Sequence, residues 1–255
     1  MDLELRGKIA IVNGSSQGIG FAIAHTLAAE GAAVCMTARR EPALGEAAER
    51  VARETGARVA AVQADIRKAE DCGRIVEEAV RRLGGVDILV NNDGAPPLGQ
   101  SVELDDAAWA KAVEQNLMSV LRMIRAVAPH MRGRGGGSIV NITALSALQP
   151  IPGFGLSVAT WAGVIGLAKT LSLELGPLGI TINTLCPGLI ETPRLHKVTA
   201  QSGQAMRDLA AEIPVGRVGR PEDIAAMTAL LVSRRGSYVT GATIQIDGGL
   251  RKSLL

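Results

Sequence analysis

The feature that most constrains this chain is an alternation, kept up from end to end, between short continuously apolar runs and longer amphipathic segments. Seven runs read as strands: 8–13 (KIAIVN), 32–37 (AAVCMT), 58–63 (RVAAVQ), 87–92 (DILVNN), 137–142 (GSIVNI), 180–186 (ITINTLC) and 243–247 (TIQID). Between them, 18–30, 41–55, 68–83, 105–131, 155–175 and 221–233 read as helices. Strands that are apolar on both sides belong to parallel sheets covered on both faces. The repeat therefore predicts an α/β chain with a doubly wound, seven-stranded, mainly parallel sheet and helices on both faces. No shift in composition divides the 255 residues, so one domain over 1–255 is expected. The stretch 187–218, with its Pro, Gly and Ser, is the longest irregular or loosely helical segment and a candidate substrate lid.

Charge and composition exclude several classes of function. Lys plus Arg number 27 against 25 Asp plus Glu, a net charge of +2, without basic runs. Two Phe, two Trp and one Tyr supply no base-stacking platform, so nucleic acid is not an expected partner. No stretch reads as the ~20 apolar residues of a membrane span. The opening MDLELRGKIAIV lacks the order of a signal peptide. Cys35, Cys72 and Cys186 are odd in number and far apart, and His25, His130 and His196 are scattered. Neither disulfides nor a metal site is expected, and buried thiols in a reducing cytoplasm are.

After the first strand comes Asn13-Gly14-Ser15-Ser16-Gln17-Gly18-Ile19-Gly20, followed by a helix. Glycines permit a tight turn and bring backbone N–H groups close to a pyrophosphate, which the helix N-terminus also favours. A strand–glycine loop–helix unit at the head of an α/β repeat is the context that identifies a dinucleotide cradle, and with it a Rossmann fold. At the end of the second strand, Ala38 stands where an acid would bond the 2′-hydroxyl of NAD. Arg39 and Arg40 follow, and guanidinium groups suit a 2′-phosphate. NADP(H) is therefore the expected cofactor.

With these motifs in order, the sequence resembles the short-chain dehydrogenase/reductase family, in the branch related to 3-oxoacyl-carrier-protein reductases. Gly14-xxx-Gly18-x-Gly20 resembles the family's glycine motif, with Asn13 in place of Thr. Asp65-Ile66 resembles the pair that holds the adenine. Asn91-Asn92-Asp93-Gly94 resembles Asn-Asn-Ala-Gly, and Pro187-Gly188-xxx-Thr192 resembles the segment touching nicotinamide and pyrophosphate. The resemblance implies cofactor contacts at Gly14, Ser16, Gly18, Ile19, Gly20, Arg39, Arg40, Asp65, Ile66, Asn91, Gly94, Pro187, Gly188 and Thr192. It also implies a water-holding role for Asn116 and a homotetramer.

The family's chemistry is hydride transfer to or from a small-molecule carbon, with a Ser, a Tyr and a Lys supplying the proton; Tyr and Lys are spaced YxxxK on one helix. Aligned from Ile139-Val140-Asn141-Ile142-Thr143, those positions hold Ala144, Ser157 and Trp161. Trp carries no charge and cannot depress a neighbour's pKa, and losing a positioned general acid costs ~10²–10⁴-fold in rate. Tyr238 lies in a different segment, and Lys169 reads as a surface residue. Ser157, and Ser146 two residues beyond Ala144 on an extended strand end, are the candidate substitutes. Glu191 and His196 lie on the candidate lid. Segments 94–100 and 189–215, both mainly apolar or small, are expected to line the substrate pocket. Three functions fit: an NADP(H)-dependent oxidoreductase acting on a small, apolar, already electrophilic substrate; a silent subunit assembling with an active relative; or a non-redox catalyst on the same fold.

Overall fold

A computed structural model describes residues 1–92, 96–202 and 205–253. All seven expected strands form: β1 (Ile9–Val12), β2 (Ala33–Ala38), β3 (Val59–Gln63), β4 (Ile88–Asn91), β5 (Gly137–Ile142), β6 (Ile180–Pro187) and β7 (Thr243–Ile246). They build one sheet in the order β3-β2-β1-β4-β5-β6-β7, and every pairing is parallel. The order reverses between β1 and β4, where an open α/β sheet leaves a crevice beyond the carboxyl ends of its strands.

Successive β1 residues point to opposite faces, as the pleat requires. Ala10 and Val12 join a core with Ile23 and Leu27 of α1 (Gly18–Ala29), Leu44 and Val51 of α2 (Glu41–Thr55), and Ile224 and Leu231 of α9 (Pro221–Val232). Ile9 and Ile11 join the opposite core, with Ile75 of α3 (Ala69–Leu83), Met123 and Val127 of α5 (Ser119–Gly133), and Ala168 and Leu175 of α6 (Gly155–Leu175). Two cores on one sheet give the expected three layers.

Two details depart from the sequence reading. The segment read as one helix over 105–131 is divided. Asp105 caps α4 (Asp106–Val113) by accepting from the Ala108 N–H at 2.8 Å, and a π-helical turn over Glu114–Met118 joins α4 to α5. Between β6 and α9, α7 (Pro193–Ser202) and α8 (Met206–Glu212) make the 187–218 stretch more helical than its composition suggested. The expectation that no stretch matches a membrane span is also corrected. Gly155–Leu178 is long and apolar enough by composition, with a mean hydropathy of 1.4. Its apolarity comes from a core-packing role, since Leu156, Trp161, Val164, Ala168 and Leu175 are buried and α6 packs on β6.

At the amino ends of the strands a buried carboxylate ties three elements together. Asp87 accepts from the Ile9 N–H at 2.9 Å and from Arg134 Nε and Nη2 at 2.9 and 3.1 Å.

Candidate active site

The carboxyl ends of β1, β2, β4 and β5 carry a row of buried polar side chains. Thr37 Oγ1 donates to Asn13 Oδ1 (3.1 Å), Asn13 Nδ2 to Asn91 Oδ1 (3.1 Å), and Asn91 Nδ2 to Asn141 Oδ1 (2.9 Å). Each of these residues is buried. The longer asparagine at position 13 spans from β2 to β4, so the floor beneath the glycine loop is cross-linked by side chains as well as by the sheet.

The loop lies on this floor. The Ser15 N–H donates to Thr37 O (3.0 Å), and the Thr37 N–H donates back to Ser15 Oγ (3.0 Å). Gly14 has φ +61°, and a Cβ there would sit 2.0 Å from Asn92 O. A Cβ on Gly20 would sit 2.3 Å from Gly14 O. No side chain fits at either position, because the loop is pressed against Asn92, whose Nδ2 donates to Asn13 O and Gly14 O at 3.3 and 3.2 Å. The loop leads into α1 at Gly18 and borders a cleft of about 400 Å³. A phosphate cradle needs these properties: close backbone approach, a helix N-terminus and open space before it.

Gly14, Gly18, Ile19, Pro187, Gly188 and Thr192 all line this cleft, and Ser16 and Gly20 lie in the same loop, Ser16 half-buried and Gly20 buried. Arg39 and Arg40 are exposed where β2 ends, and neither has an ion pair among the described residues. The charge of Arg39 nevertheless reaches Asp65. The Asp65 carboxyl is held below the usual carboxylate range mainly by its bonds from Arg67, with Arg39 adding a smaller pull. Asn91 points into the asparagine row, and it is Asn92 that faces the cleft. Gly94 and Asp93 lie outside the described residues. Ile66 and Asn116 are both buried and line the same small recess.

The candidate catalytic residues do not converge on the cleft. Ser157 is fully buried in the first turn of α6, Ser146 is buried as well, and among the described residues neither hydroxyl has a partner or lines the cleft. The geometry assumed for Ser146 is corrected. The strand ends at Ile142, and Leu145–Ala147 is a 3₁₀ turn, so the two-residue alternation that would set Ser146 beside Ala144 does not apply. Ala144 faces the cleft. Thr143 faces it too, but its hydroxyl donates to Leu185 O at 3.1 Å and contacts Cys186 Sγ at 3.2 Å. Burial pushes the Cys186 thiol pKa up, against a thiolate.

Trp161 takes the central position. Its residue surface is 9% exposed, and it lines both the cleft and a small recess of about 10 Å³. In that recess Asn116, at the middle of the π-helical turn, donates through Nδ2 to Thr160 Oγ1 at 2.8 Å. Asn116 Oδ1 and Asn141 Nδ2 have no hydrogen-bond partner among the described residues. Glu191 and His196 are both half-exposed and 3.5 Å apart, away from the cleft wall. Tyr238 is fully exposed. No cluster of three His, Cys, Asp or Glu that could hold a metal exists among the described residues. Two cleft residues were not singled out by the sequence reading: Phe154, before α6, and Arg194, in the first turn of α7 within the segment expected to line the pocket. For Arg194, a cation two residues after Thr192 was the available signal.

A parallel sheet with a glycine cradle at its switch point defines a dinucleotide-binding class of protein. Comparison with known proteins narrows it. Residues 14–251 match the family model described as Enoyl-(Acyl carrier protein) reductase. The chain is 37% identical over 248 residues to "Dehydrogenase/reductase SDR family member 4" of Homo sapiens, covering 96% of this chain and 88% of that protein. The structure of L-sorbose reductase from Gluconobacter frateurii, complexed with NADPH and L-sorbose, superimposes with a TM-score of 0.95 at 35% identity, over 100% of both chains. A 7α-hydroxysteroid dehydrogenase complexed with NADH and 7-oxo glycochenodeoxycholic acid gives 0.91 at 31% identity, over 97% of this chain and 96% of that one. The chain belongs to the short-chain dehydrogenase/reductase family.

Proposed function

We propose that the chain is an NADP(H)-binding oxidoreductase with a non-standard active site, in which Ala144, Ser157 and Trp161 replace the family's Ser, Tyr and Lys. The observation that carries this reading is the glycine cradle, sterically closed to any side chain at Gly14 and Gly20, bordering an open cleft. Gly14, Ser16, Gly18, Ile19 and Gly20 would hold the pyrophosphate, Asp65 and Ile66 the adenine, and Gly94, Pro187, Gly188 and Thr192 the nicotinamide half, with Asn91 bracing the floor beneath through Asn13 and Asn141. Arg39 and Arg40, without an ion pair among the described residues, would take the 2′-phosphate. Family neighbours solved with NADPH or with NADH support a nicotinamide cofactor in general. The base pair of arginines and the absent acid at Ala38 support the phosphorylated one.

The cofactor supplies the hydride; the chain supplies position, an apolar wall and little proton. Trp161 has no charge to lower a neighbour's pKa. Ser146 and Ser157 lie behind the cleft wall, and Thr143 is engaged with Leu185. The proton then comes from solvent in the open cleft, which suits substrates that are electrophilic already, such as a quinone, an iminium or an activated enone. The lining of Ile142, Phe154, Leu189, Ile190, Leu195 and Val198 suits an apolar one. A second reading draws on the same withdrawal of hydroxyls: a silent subunit that assembles with an active relative.

The test is to restore the three groups together, as Ala144→Ser, Ser157→Tyr and Trp161→Lys. NADPH-dependent reduction of a small activated ketone is expected to rise by ~10²-fold or more in the triple variant, while single changes do little, because residues acting as a unit are non-additive. A folded triple variant that binds NADPH and reduces nothing favours the silent-subunit reading.

A further inference from the structure

Among the described residues the cleft has one charged side chain in its wall, Arg194. The rest of the lining is apolar or neutral, with Phe154, Leu195 and Val198 close in the wall to the guanidinium's own segment. Its backbone is well anchored. Pro193 opens α7, and Thr192 Oγ1 accepts from the Leu195 N–H at 3.3 Å across the first turn.

Arg194 has no ion pair and no hydrogen bond among the described residues, whereas the arginines nearest along the chain are matched: Arg207 faces Asp208 at 3.5 Å, and Arg217 grips Asp223 at 2.6 and 3.0 Å. The nearest acid in sequence, Glu191, is turned to His196. The residue as a whole is exposed, and the partial loss of solvent around its guanidinium pulls its pKa below the ordinary arginine value. Among the described residues loss of solvent is the influence on it, while Arg134 and Arg217 are raised by their carboxylates. A cation that faces an otherwise neutral cleft, with no counter-charge of its own among the described residues, is placed to meet an anionic group on a ligand.

We propose that Arg194 is the anion-recognition residue of the cleft, and that the molecule bound there presents a carboxylate- or phosphate-class group to it. The inference rests on the reading of the cleft as the ligand site. Two sources carry that chemistry: the pyrophosphate of the dinucleotide, whose cradle approaches this segment at Gly18 and Thr192, and an acidic group on an otherwise apolar substrate.

The experiment compares the full-length chain with Arg194→Met and Arg194→Lys variants, each first shown by circular dichroism and melting temperature to be folded. Four probes are titrated by calorimetry: NADPH, ADP-ribose, decanoate and 1-decanol, the last two in the presence and absence of saturating NADPH. At least one anionic probe is expected to weaken by ~10-fold or more in Arg194→Met, the range for a charge-assisted hydrogen bond, and to recover partly in Arg194→Lys. Parallel weakening of NADPH and ADP-ribose assigns the anion to the pyrophosphate. Unchanged NADPH with weakened decanoate, and with 1-decanol unaffected, assigns it to the substrate. Anionic probes that bind the natural chain and the Arg194→Met variant equally overturn the proposal, and so does a natural chain that binds none of them. Decanoate binding that depends on Arg194 without any NADPH binding upholds the inference and removes the cofactor reading instead.

Discussion

At the scale of single residues, the proposed function sets a cofactor cradle against a site in which Ala144, Ser157 and Trp161 stand at the family's proton-supplying positions. Arg39 and Arg40 make the first testable. Replacing Arg39 with Ala is expected to weaken NADPH by ~10-fold or more while leaving NADH nearly unchanged, since a charge-assisted hydrogen bond is worth ~1.5–3 kcal/mol; competition binding with both cofactors reads this. The asparagine row makes a prediction about stability. Asn91→Ala removes one acceptor and one donor from the buried chain Asn13–Asn91–Asn141 and leaves two groups unpaired. A loss of about 2–4 kcal/mol is expected in chemical denaturation, with cofactor affinity falling less than stability. Sequence reading found the cradle because glycine loops follow from local chain geometry. It did not find the row, because Asn13, Asn91 and Asn141 are brought together by strand order, and it did not single out Arg194, whose meaning depends on which acids lie elsewhere.

At the scale of elements, the strands were the most legible part. A parallel strand buried on both faces writes itself as a continuous apolar run, and each of the seven did so within a residue or two. Helix interiors were less informative. Residues 105–131 read as one amphipathic unit, since a single π turn shifts the helical phase without adding any breaker residue, and the turn holds Asn116. Ser146 was misplaced for the same kind of reason: a 3₁₀ turn and an extended end are indistinguishable over three small residues. The start of α9 offers a pH test. The Asp223 carboxyl, bonded by Arg217 and by the Arg220 N–H at 2.7 Å, has its pKa lowered, mainly through Arg217. A depressed carboxylate contributes stability above its unfolded pKa of ~3.9, and that contribution is lost as pH falls through the lower folded value. Asp223→Asn is therefore expected to lower the melting temperature at neutral pH and to flatten its decline on acidification below about pH 4. An unchanged acid branch contradicts the assigned role of that pair.

At the scale of the whole molecule, the sheet ends in an open edge. Strand β7 pairs only with β6, and alternate residues of it are exposed; Leu173 and Val239 also face solvent. Edge strands and apolar surface of this kind are commonly covered by assembly. We expect a homotetramer, measured by light scattering on a sizing column, and a clean monomer at micromolar concentration contradicts it. A second family member carrying YxxxK that co-purifies in fixed proportion supports the hetero-oligomeric reading instead. Above these questions stands the claim that a working dinucleotide site has outlived the usual proton donor. Calorimetric titration of the natural chain with NADPH and with NADH tests it most directly. The account predicts saturable binding of both, with NADPH tighter by ~10-fold or more from the 2′-phosphate contacts. Equal affinities contradict the roles given to Arg39 and Arg40, and an absence of binding by either contradicts the cradle itself.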